Sequence, residues 1–359
     1  MKMAKEIESN QLLLKNIEHV SISAVAEKAG ASIATVSRVL NKHPYVNKVT
    51  ADRILKIATE LKYRPNSSGR SLRGGKHFNI GLLRARFAIP DQLYMETMFT
   101  NLVRYITLEG YGVSLEFLKE ETEKGYLSCP EVVASRKVDG MVIIGHMDQK
   151  ELEQASTWGI PICLINNKFV HPNFCSSSLD DYSGARDVVQ YLAALGHERI
   201  GFVYGSLEWP GTRARHQGYI DTMADLGLEV NPHYLVKVDE HQQNYQGGYF
   251  ATEKLLREVP DLTAIFYIND WYAIGGICAI KAYGKRIPED ISLVGFDNSW
   301  MGEEVLPRLT TVSMEAPEIC REAASTLIRA VENKPVARPH VNIRPKLFIR
   351  DSCAPLREK

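Results

Sequence analysis

The sequence predicts a small all-α head followed by a larger α/β core of two subdomains, each a parallel sheet flanked by helices. Two features predict this. Residues 21–73 hold three short amphipathic helical patterns, with a turn glycine after the first. After residue 76, apolar strand patterns alternate with amphipathic helices, which is typical of parallel sheets covered on both faces. About 280 residues of this kind exceed one such sheet, so we expect two subdomains with a cleft between them.

Charge separates the head from the core. The 359 residues include 43 basic and 43 acidic side chains, so the formal net charge is zero. Residues 19–76 nevertheless carry +8, residues 1–18 are neutral and the rest of the chain carries −8. A cationic head on an anionic body is typical of a nucleic-acid-binding module joined to another domain. A solvated basic face is the alternative interpretation.

Composition argues against several classes of protein. No apolar run reaches the roughly 18 residues that span a bilayer, so we expect no membrane segment. The first residues lack an uninterrupted apolar stretch, so we expect no signal peptide and a cytoplasmic location. The six cysteines are scattered without a CxxC pair, which predicts neither a disulfide framework nor a zinc site.

The first two helical patterns have the layout of a helix-turn-helix. Ser23 is a candidate N-cap of the first helix, Gly30 supplies the turn and Ser32 can cap the second helix. Within the second helix, Val36 and Val39 are expected to face inward because of their spacing. The opposite face is then predicted to enter the major groove of DNA.

That opposite face supplies the candidate DNA contacts. Arg38 is the best candidate for base recognition, since a guanidinium can bond guanine O6 and N7 together. A plain phosphate contact by Arg38 is the alternative. Ile33 and Ala34 suit a thymine methyl or a close approach to the bases. Thr35, Ser37 and Asn41 suit phosphates, and Ser32 is a further candidate DNA contact.

A third helix and a short basic segment complete the head. Asn47 can cap the third helix, which carries Ile54 on its inner face, and Pro65 ends it. Residues 66–76 are too few for a stable isolated helix, and Gly69 weakens helix formation further. The segment is therefore either a helix that forms only with help, which makes a natural switch, or a flexible linker.

The segments AVAEKAGASIATVSRVLN and YRPNSSGRSL resemble the lactose-repressor (LacI/GalR) family of bacterial regulators, over residues 21–350. The resemblance implies hinge helices that contact DNA through Asn66 and Arg70. It also implies that Leu72 of each subunit of a homodimer wedges into the central base step of a pseudo-palindromic operator. Gly69 stands where alanine is more usual, which implies a looser hinge. Residues 1–20 are an extension that the family does not need.

The core contains successive strand patterns. The predicted strands are 79–83, 113–118, 141–144, 160–165, 200–204, 235–238, 264–268 and 291–296. The phrases KVDGMVIIG, LGHERIGFVYG and IPEDISLVGFDN resemble the periplasmic-binding-protein-like core of the family, which implies three chain crossings between subdomains. We expect a helix-turn-helix domain at 21–65, a hinge at 66–76 and a core at 77–359. By analogy, the N-subdomain is predicted at 77–178 and 309–340, and the C-subdomain at 179–308 and 341–359.

The resemblance also supplies candidate effector-binding residues. Arg215 in RHQGY matches an arginine that bonds effector hydroxyls, and Asp297 in GFDN matches an aspartate that accepts from them. Asn166 and Asn269 end strand patterns, where small ligands bind in such folds. A helix cap or an inter-subdomain salt bridge is the alternative role for each.

Further cleft candidates rest on chemistry and position. Trp271 is a candidate aromatic platform for a sugar ring, and Trp209 is another; simple packing is the alternative for both. Asp91 and Tyr94 lie in or near the loop after the first strand and could line the cleft from the other subdomain. Asp270 is expected to serve the fold.

No pattern in the chain points to catalysis. GxSxG, HExxH, P-loop and GxGxxG patterns are missing from the sequence, and Asp180 and Asp181 are expected to be a solvated pair. We therefore expect no enzyme, cofactor or metal. The sequence predicts a sequence-specific transcriptional repressor, working as a homodimer on operator DNA and controlled by a small effector, which the resemblance suggests is a carbohydrate. A solute-binding protein without a DNA role is the alternative, and the sequence does not choose between inducer and corepressor.

Overall fold

The computed structural model describes residues 20–40, 46–63, 76–85, 92–117, 128–167, 169–239 and 244–356. Two compact units divide the chain, Met1–His77 and Phe78–Lys359. Each unit has its own apolar core and is described by itself.

Three helices form the described part of the head: α1 (Ile22–Ala29), α2 (Ile33–Leu40) and α3 (Lys48–Glu60). Ser21 caps α1 by accepting from the backbone N–H of Ala24, so the prediction of Ser23 as the cap is wrong. Gly30 ends α1 in the left-handed conformation with φ 57°, which a glycine adopts without strain. Asn47 caps α3, as predicted.

The head is held together by a small apolar core. Val25 and Ala29 of α1, Val36 and Val39 of α2, and Ile54 of α3 are buried against one another. The inward face predicted for α2 is therefore confirmed at both valines. Its opposite face stays in contact with solvent.

The first subdomain of the core is built on a six-stranded parallel sheet. Its strands, in spatial order, are β11 (His340–Ile343), β5 (Cys175–Leu179), β4 (Ile162–Ile165), β3 (Gly140–Ile144), β1 (Asn79–Arg84) and β2 (Gly112–Phe117). Its helices are α4 (Gln92–Leu108), α5 (Glu131–Ala134), α6 (Gln149–Ser156) and α12 (Ala316–Val331). Strands β1, β3 and β4 are apolar and buried, as expected when helices cover a parallel sheet.

The second subdomain repeats this plan with one antiparallel edge. Its strands, in spatial order, are β12 (Leu347–Phe348), β10 (Thr310–Ser313), β9 (Ser292–Asp297), β8 (Ala264–Tyr267), β6 (Ile200–Tyr204) and β7 (Leu235–Lys237). Its helices are α7 (Asp181–Ala194), α8 (Pro210–Asp225), α9 (Tyr245–Glu258), α10 (Asp270–Ala282) and α11 (Trp300–Glu304). Strand β12 pairs antiparallel with β10, and the other described pairs are parallel.

The chain crosses between the two sheets three times, and two crossings lie later than predicted. The first follows β5. The second was predicted near Pro307–Leu309, but Thr310–Ser313 pairs with β9 and extends the second sheet, so the crossing follows Ser313. The third was predicted near Val341, but His340–Ile343 pairs with β5 and extends the first sheet. The subdomain boundaries at 309 and 341 are therefore wrong, and residues 314–343 belong to the first subdomain.

A buried histidine fastens the C-terminal segment to the second sheet. His197 Nε2 lies 3.1 Å from the carbonyl oxygen of Ala354 and 3.0 Å from Ser292 Oγ. Because the carbonyl can only accept, Nε2 donates, and Nδ1 carries no proton when the ring is neutral. Nδ1 is buried with no hydrogen-bond partner among the described residues. Burial therefore lowers the pKa of His197 despite the hydrogen bond to Ala354.

This histidine predicts a pH dependence of stability. The unfolded chain binds a proton near pH 6.5 while the native ring resists it, so the free energy of unfolding falls as pH drops through that value. His197→Gln keeps a donor and cannot titrate, so its free energy of unfolding should fall less between pH 7 and pH 5. Urea denaturation at pH 5, 6 and 7 measures this. Identical pH dependence in both proteins would contradict the assignment.

Candidate functional site

The outer face of α2 presents the predicted DNA contacts to solvent. Ile33, Ala34 and Arg38 are exposed, and Ile33 is an apolar side chain that remains 39% accessible. Ser32 accepts from the backbone N–H of Thr35 and so begins the helix. This face therefore combines a guanidinium, small hydroxyls and an exposed isoleucine. Four further candidates, Asn41, Asn66, Arg70 and Leu72, lie outside the described residues.

A cleft of about 280 Å³ lies between the two sheets of the core. The first subdomain lines it with Tyr94, Gly145, His146, Asn166, Asn167, Ser178, Leu179 and Met314. The second lines it with residues that follow its strands or begin its helices, including Asp181, Trp209, Arg215, Asn269, Tyr272 and Asp297. The site thus lies at the carboxyl ends of parallel strands, next to the loops and helix N-termini that follow them.

Arg215 is the central charged group of this cleft. Its Nε donates to Asp181 Oδ1 at 2.7 Å, and its Nη1 donates to the carbonyl of Ile268 and lies 3.6 Å from Asp297 Oδ1. The guanidinium also stacks on the ring of Phe296, with its carbon 3.5 Å from the ring centre. Burial lowers the pKa of Arg215, but the two carboxylates outweigh burial and the net pKa is raised. The arginine is therefore a fixed, charged donor.

The two carboxylates flank this guanidinium from different elements. Asp181 opens α7 and Asp297 ends β9, and both side chains are 13% exposed. Asp297 has a positive φ of 116°, a conformation that non-glycine residues rarely adopt and that is enriched at functional sites. The expectation that Asp181 belongs to a solvated pair is wrong, because its carboxylate is bonded to Arg215 in the cleft. Asp180, its neighbour, caps α7 through Ser183.

Asn166 and Tyr94 form one unit of the opposite wall. Asn166 Nδ2 donates to Tyr94 Oη at 2.6 Å, and Asn166 Oδ1 accepts from the backbone N–H of Leu179 at 3.0 Å. Burial raises the pKa of Tyr94 and keeps its hydroxyl neutral. Both predicted residues therefore line the cleft, and both also hold β5 and α4 in place.

Asn269 and Asp270 begin α10 with different roles. Asn269 caps the helix by accepting from the N–H of Tyr272 at 2.8 Å, and it lines the cleft. Asp270 is buried behind it and accepts from the N–H of Ser299 and the hydroxyl of Thr311, both at 2.6 Å. Burial raises the pKa of Asp270 to about 6, although these hydrogen bonds oppose the shift. Asp270 thus fixes the loop after Asp297, in agreement with a role in the fold.

The cleft does not include every predicted residue. Trp271 lies outside it, since successive helical residues turn by about 100° and its ring packs edge-on against Tyr245 instead. Trp209, the other candidate aromatic, lines the cleft at the start of α8. Asp91 lies outside the described residues. Within the described ranges, no group of three or more His, Cys, Asp or Glu is arranged for a metal.

A histidine and an asparagine that sequence reasoning did not single out also line the cleft. His146 Nδ1 lies 2.8 Å from Asn167 Oδ1, and the His146 ring packs against Phe169. Both residues follow strands of the first sheet, so their position at strand ends was the signal that could have found them. Asn167 follows Asn166 directly, and the sequence pattern predicts only Asn166 as a cleft residue.

Comparison with known proteins identifies the chain. Residues 21–66 match the family described as bacterial regulatory proteins, lacI family, and residues 189–353 match a periplasmic binding protein-like domain. Over 338 residues the chain is 30% identical to catabolite control protein A of Priestia megaterium, covering 93% of this chain and 99% of that protein. The chain belongs to the lacI family of bacterial regulatory proteins.

Two further relatives agree with this lacI-family membership. The transcriptional repressor PurR of Haemophilus influenzae is 29% identical over 339 residues, covering 92% of this chain and 98% of that protein. A LacI-family regulator from Enterococcus faecium, solved with bound ribose, superposes with a TM-score of 0.66 at 25% identity, covering 78% of this chain and 100% of that one.

The lacI-family head is a DNA-binding helix-turn-helix domain, and the chain is a transcriptional regulator with a ligand-binding core. The solute-binding alternative without a DNA role is not favoured. No helix among the described residues has the length and apolar character needed to cross a membrane.

Proposed function

We propose that the protein is a homodimeric transcriptional repressor whose affinity for a pseudo-palindromic operator is set by a small sugar-like effector in the core cleft. The observation that carries the effector is Arg215, held between Asp181 and Asp297 at 2.7 and 3.6 Å. Fixed donors beside fixed acceptors suit a ligand whose hydroxyls both donate and accept. The ribose bound by the Enterococcus faecium relative supports a sugar-like effector. The name of the relative PurR, a transcriptional repressor, supports the role as a repressor.

Ligand and DNA are coupled through the pose of the two subdomains. Residues from both sheets line the cleft, so a ligand that binds both walls favours one arrangement of the sheets over another. The hinge at residues 66–76 joins the head to the first subdomain. A coupling free energy of about 1–3 kcal/mol would change operator affinity roughly 5- to 150-fold. The sign follows from which arrangement the ligand prefers, so both an inducer and a corepressor fit this scheme.

Arg38 is proposed as the main base contact of the head. Arg38→Ala should weaken binding to the operator by about 1–3 kcal/mol, roughly 5- to 150-fold, with a smaller loss on unrelated DNA. Fluorescence anisotropy with an operator duplex and a scrambled duplex measures both losses. Lys56→Ala removes an exposed cation of α3 and is the charge-matched control; any loss that it causes should be equal on the two duplexes. An equal loss on both duplexes would make Arg38 a phosphate contact instead.

A dimer surface is proposed at the edge of the first sheet. Strand β2 is an edge strand, and Leu115 and Phe117 on one of its faces are 52% and 57% exposed. Val113, two residues before Leu115, lies on the same face but is partly buried against the apolar core, so the exposed part of the stripe is Leu115 and Phe117. Exposed apolar edge strands are aggregation hazards unless they are covered, and a two-fold partner covers both copies at once.

Leu115→Glu tests this surface. We expect the variant to sediment as a monomer at concentrations where the wild type is a dimer, because the charge would be buried in the interface. Its operator affinity should fall as well, since two half-sites need two heads. Leu226→Glu, at a leucine that is 45% exposed at the end of α8, is the control and should stay dimeric. If the Leu115→Glu protein remains a dimer, the dimer interface does not include this face of β2.

A further inference from the structure

The charge balance of the cleft bears on what its ligand can be. Apart from His146, the ionisable side chains that line the described part of the cleft are Arg215, Asp181, Asp297, Tyr94 and Tyr272. Tyrosine hydroxyls are neutral near pH 7, and the one guanidinium is shared by two carboxylates. These charges sum to −1, and Arg215 is already bonded to Asp181. A ligand phosphate or carboxylate would therefore meet two carboxylates with no free cation among these groups.

The wall facing this ion cluster carries a hydrogen-bonding pair with defined polarity. Asn167 Oδ1 accepts from the N–H of Met147 at 3.4 Å, which identifies it as the oxygen of the amide. His146 Nδ1, 2.8 Å from that oxygen, must then donate to it. In the tautomer that has its proton on Nδ1, Nε2 is an acceptor. The pair is held further by the contact between the His146 and Phe169 rings, whose centres are 5.5 Å apart.

The amide nitrogen of Asn167 needs a partner. Asn167 Nδ2 is buried and has no hydrogen-bond partner among the described residues, although Asn167 lines the cleft. Buried donors without partners are uncommon in native proteins and cost stability until they are bonded. An unpaired donor and a histidine acceptor on one wall match a hydroxyl, which both accepts and donates.

An aromatic ring completes the recognition surface. Trp209 lines the cleft at the start of α8, the helix that also carries Arg215. The CH face of a sugar ring is apolar and packs well on an indole, whereas the hydroxyls at the ring edge require donors and acceptors. The cleft therefore offers an apolar ring, Trp209, and two sets of polar groups, the Arg215 cluster and the His146–Asn167 pair.

We infer that the effector is an uncharged sugar or glycoside, and that His146 and Asn167 bind one of its hydroxyls and so determine its specificity. This inference rests on the proposed function, because it concerns the same cleft. It adds two statements: the described lining of the cleft disfavours sugar phosphates and sugar acids, and the hydroxyl pattern of the sugar is recognised by a pair of residues outside the Arg215 cluster.

Isothermal titration of the full-length protein tests the charge of the ligand. The probes are matched sets: glucose, glucose 6-phosphate and glucuronate; galactose and galacturonate; ribose and ribose 5-phosphate; and cellobiose and cellobionate. We expect one neutral sugar to bind at least 10-fold more tightly than its charged counterpart. Tighter binding of a phosphate or an acid would overturn the inference and leave the proposed function standing. Binding of none of these probes would contradict the sugar effector itself.

Variants of the pair test the specificity residues. Asn167→Ala should weaken the neutral sugar roughly 10-fold, the loss expected for one buried hydrogen bond. Asn167→Asp preserves the acceptor for His146 but removes the donor, and it should weaken the sugar as well. Asn101→Ala, on α4, is the control and should bind like wild type. Melting temperature and operator affinity without ligand show whether each variant is folded.

Deoxy analogues of the bound sugar separate recognition from general disturbance of the cleft. One deoxy position should weaken binding to the wild type but not to Asn167→Ala, because the variant has already lost that hydrogen bond. If each deoxy sugar loses the same affinity for Asn167→Ala as for the wild type, the role of Asn167 is overturned. Unchanged sugar affinity in folded Asn167→Ala and Asn167→Asp would overturn it equally.

Discussion

Arg215→Ala is expected to abolish the effect of the ligand on operator affinity while DNA binding without ligand persists. The guanidinium is the fixed cationic donor of the cleft, and charged hydrogen bonds of this kind contribute about 1.5–3 kcal/mol each, so the ligand should bind roughly 10- to 150-fold more weakly. Titrating the protein–operator complex with the effector measures the loss. The head has its own core, so operator affinity without ligand should change little.

A second variant guards against loss of folding. Removing Arg215 leaves Asp181 and Asp297 without their counter-charge, and uncompensated buried charges can cost about 3–5 kcal/mol. Arg215→Lys retains the charge but loses the planar fork, so it should remain folded and still respond poorly. Arg186→Ala, at a surface ion pair on α7, is the control. A folded Arg215→Lys protein that responds at wild-type ligand concentrations would remove Arg215 from the effector site.

Leu72→Ala is expected to weaken operator binding and leave ligand binding intact. Leu72 is outside the described residues, and its role as a minor-groove wedge follows from the family resemblance. Loss of a buried leucine contact costs about 1.5–3 kcal/mol, so operator affinity should fall roughly 10- to 150-fold. The bend of the operator should also decrease, because insertion between base steps produces the kink.

Two measurements evaluate the wedge. Anisotropy titration gives operator affinity, and circular-permutation mobility shifts give the bend angle. Leu61→Ala, in a partly buried leucine at the end of α3, controls for a general effect of losing a leucine from the head. If Leu72→Ala leaves operator affinity and the operator bend angle unchanged, Leu72 is not a minor-groove wedge.

Sequence patterns predicted the head well because its signals are short-range. The spacing of Val36 and Val39, the turn at Gly30 and the cap at Asn47 each depend on residues within one helical turn. The one error, the cap at Ser23, moved a helix start by two residues. Helix boundaries are where local patterns are weakest, because several serines compete for the same role.

Strands of the core were harder to predict from the sequence where they are polar. Strand β5 has the sequence CSSSL and was not predicted, yet Ser176 and Ser177 are buried in the sheet. Asp181 follows that strand, so missing β5 also hid a cleft residue. The late crossing after Ser313 has the same origin, since Thr310 and Thr311 lack the apolar pattern that usually marks a buried strand.

The remaining cleft residues depended on three-dimensional placement. The sequence predicts Trp271 in the cleft because it follows Asp270, but one step along a helix turns a side chain by about 100° and out of the site. The sequence does not predict Asn167 and His146 as cleft residues. No sequence pattern shows that these two side chains meet across the ends of neighbouring strands. Local sequence identifies which strands end at the cleft, and tertiary packing decides which side chains enter it.

The central claim is that one ligand in the core cleft sets the affinity of the head for DNA. The most direct test measures binding of the full-length protein to a pseudo-palindromic duplex obtained by in vitro selection, with and without the saturating neutral sugar found by titration. Operator affinity of the wild type should change at least fivefold, and that of Arg215→Lys should not change at the same sugar concentration. Equal operator affinity with and without bound sugar in the wild type would contradict the central claim.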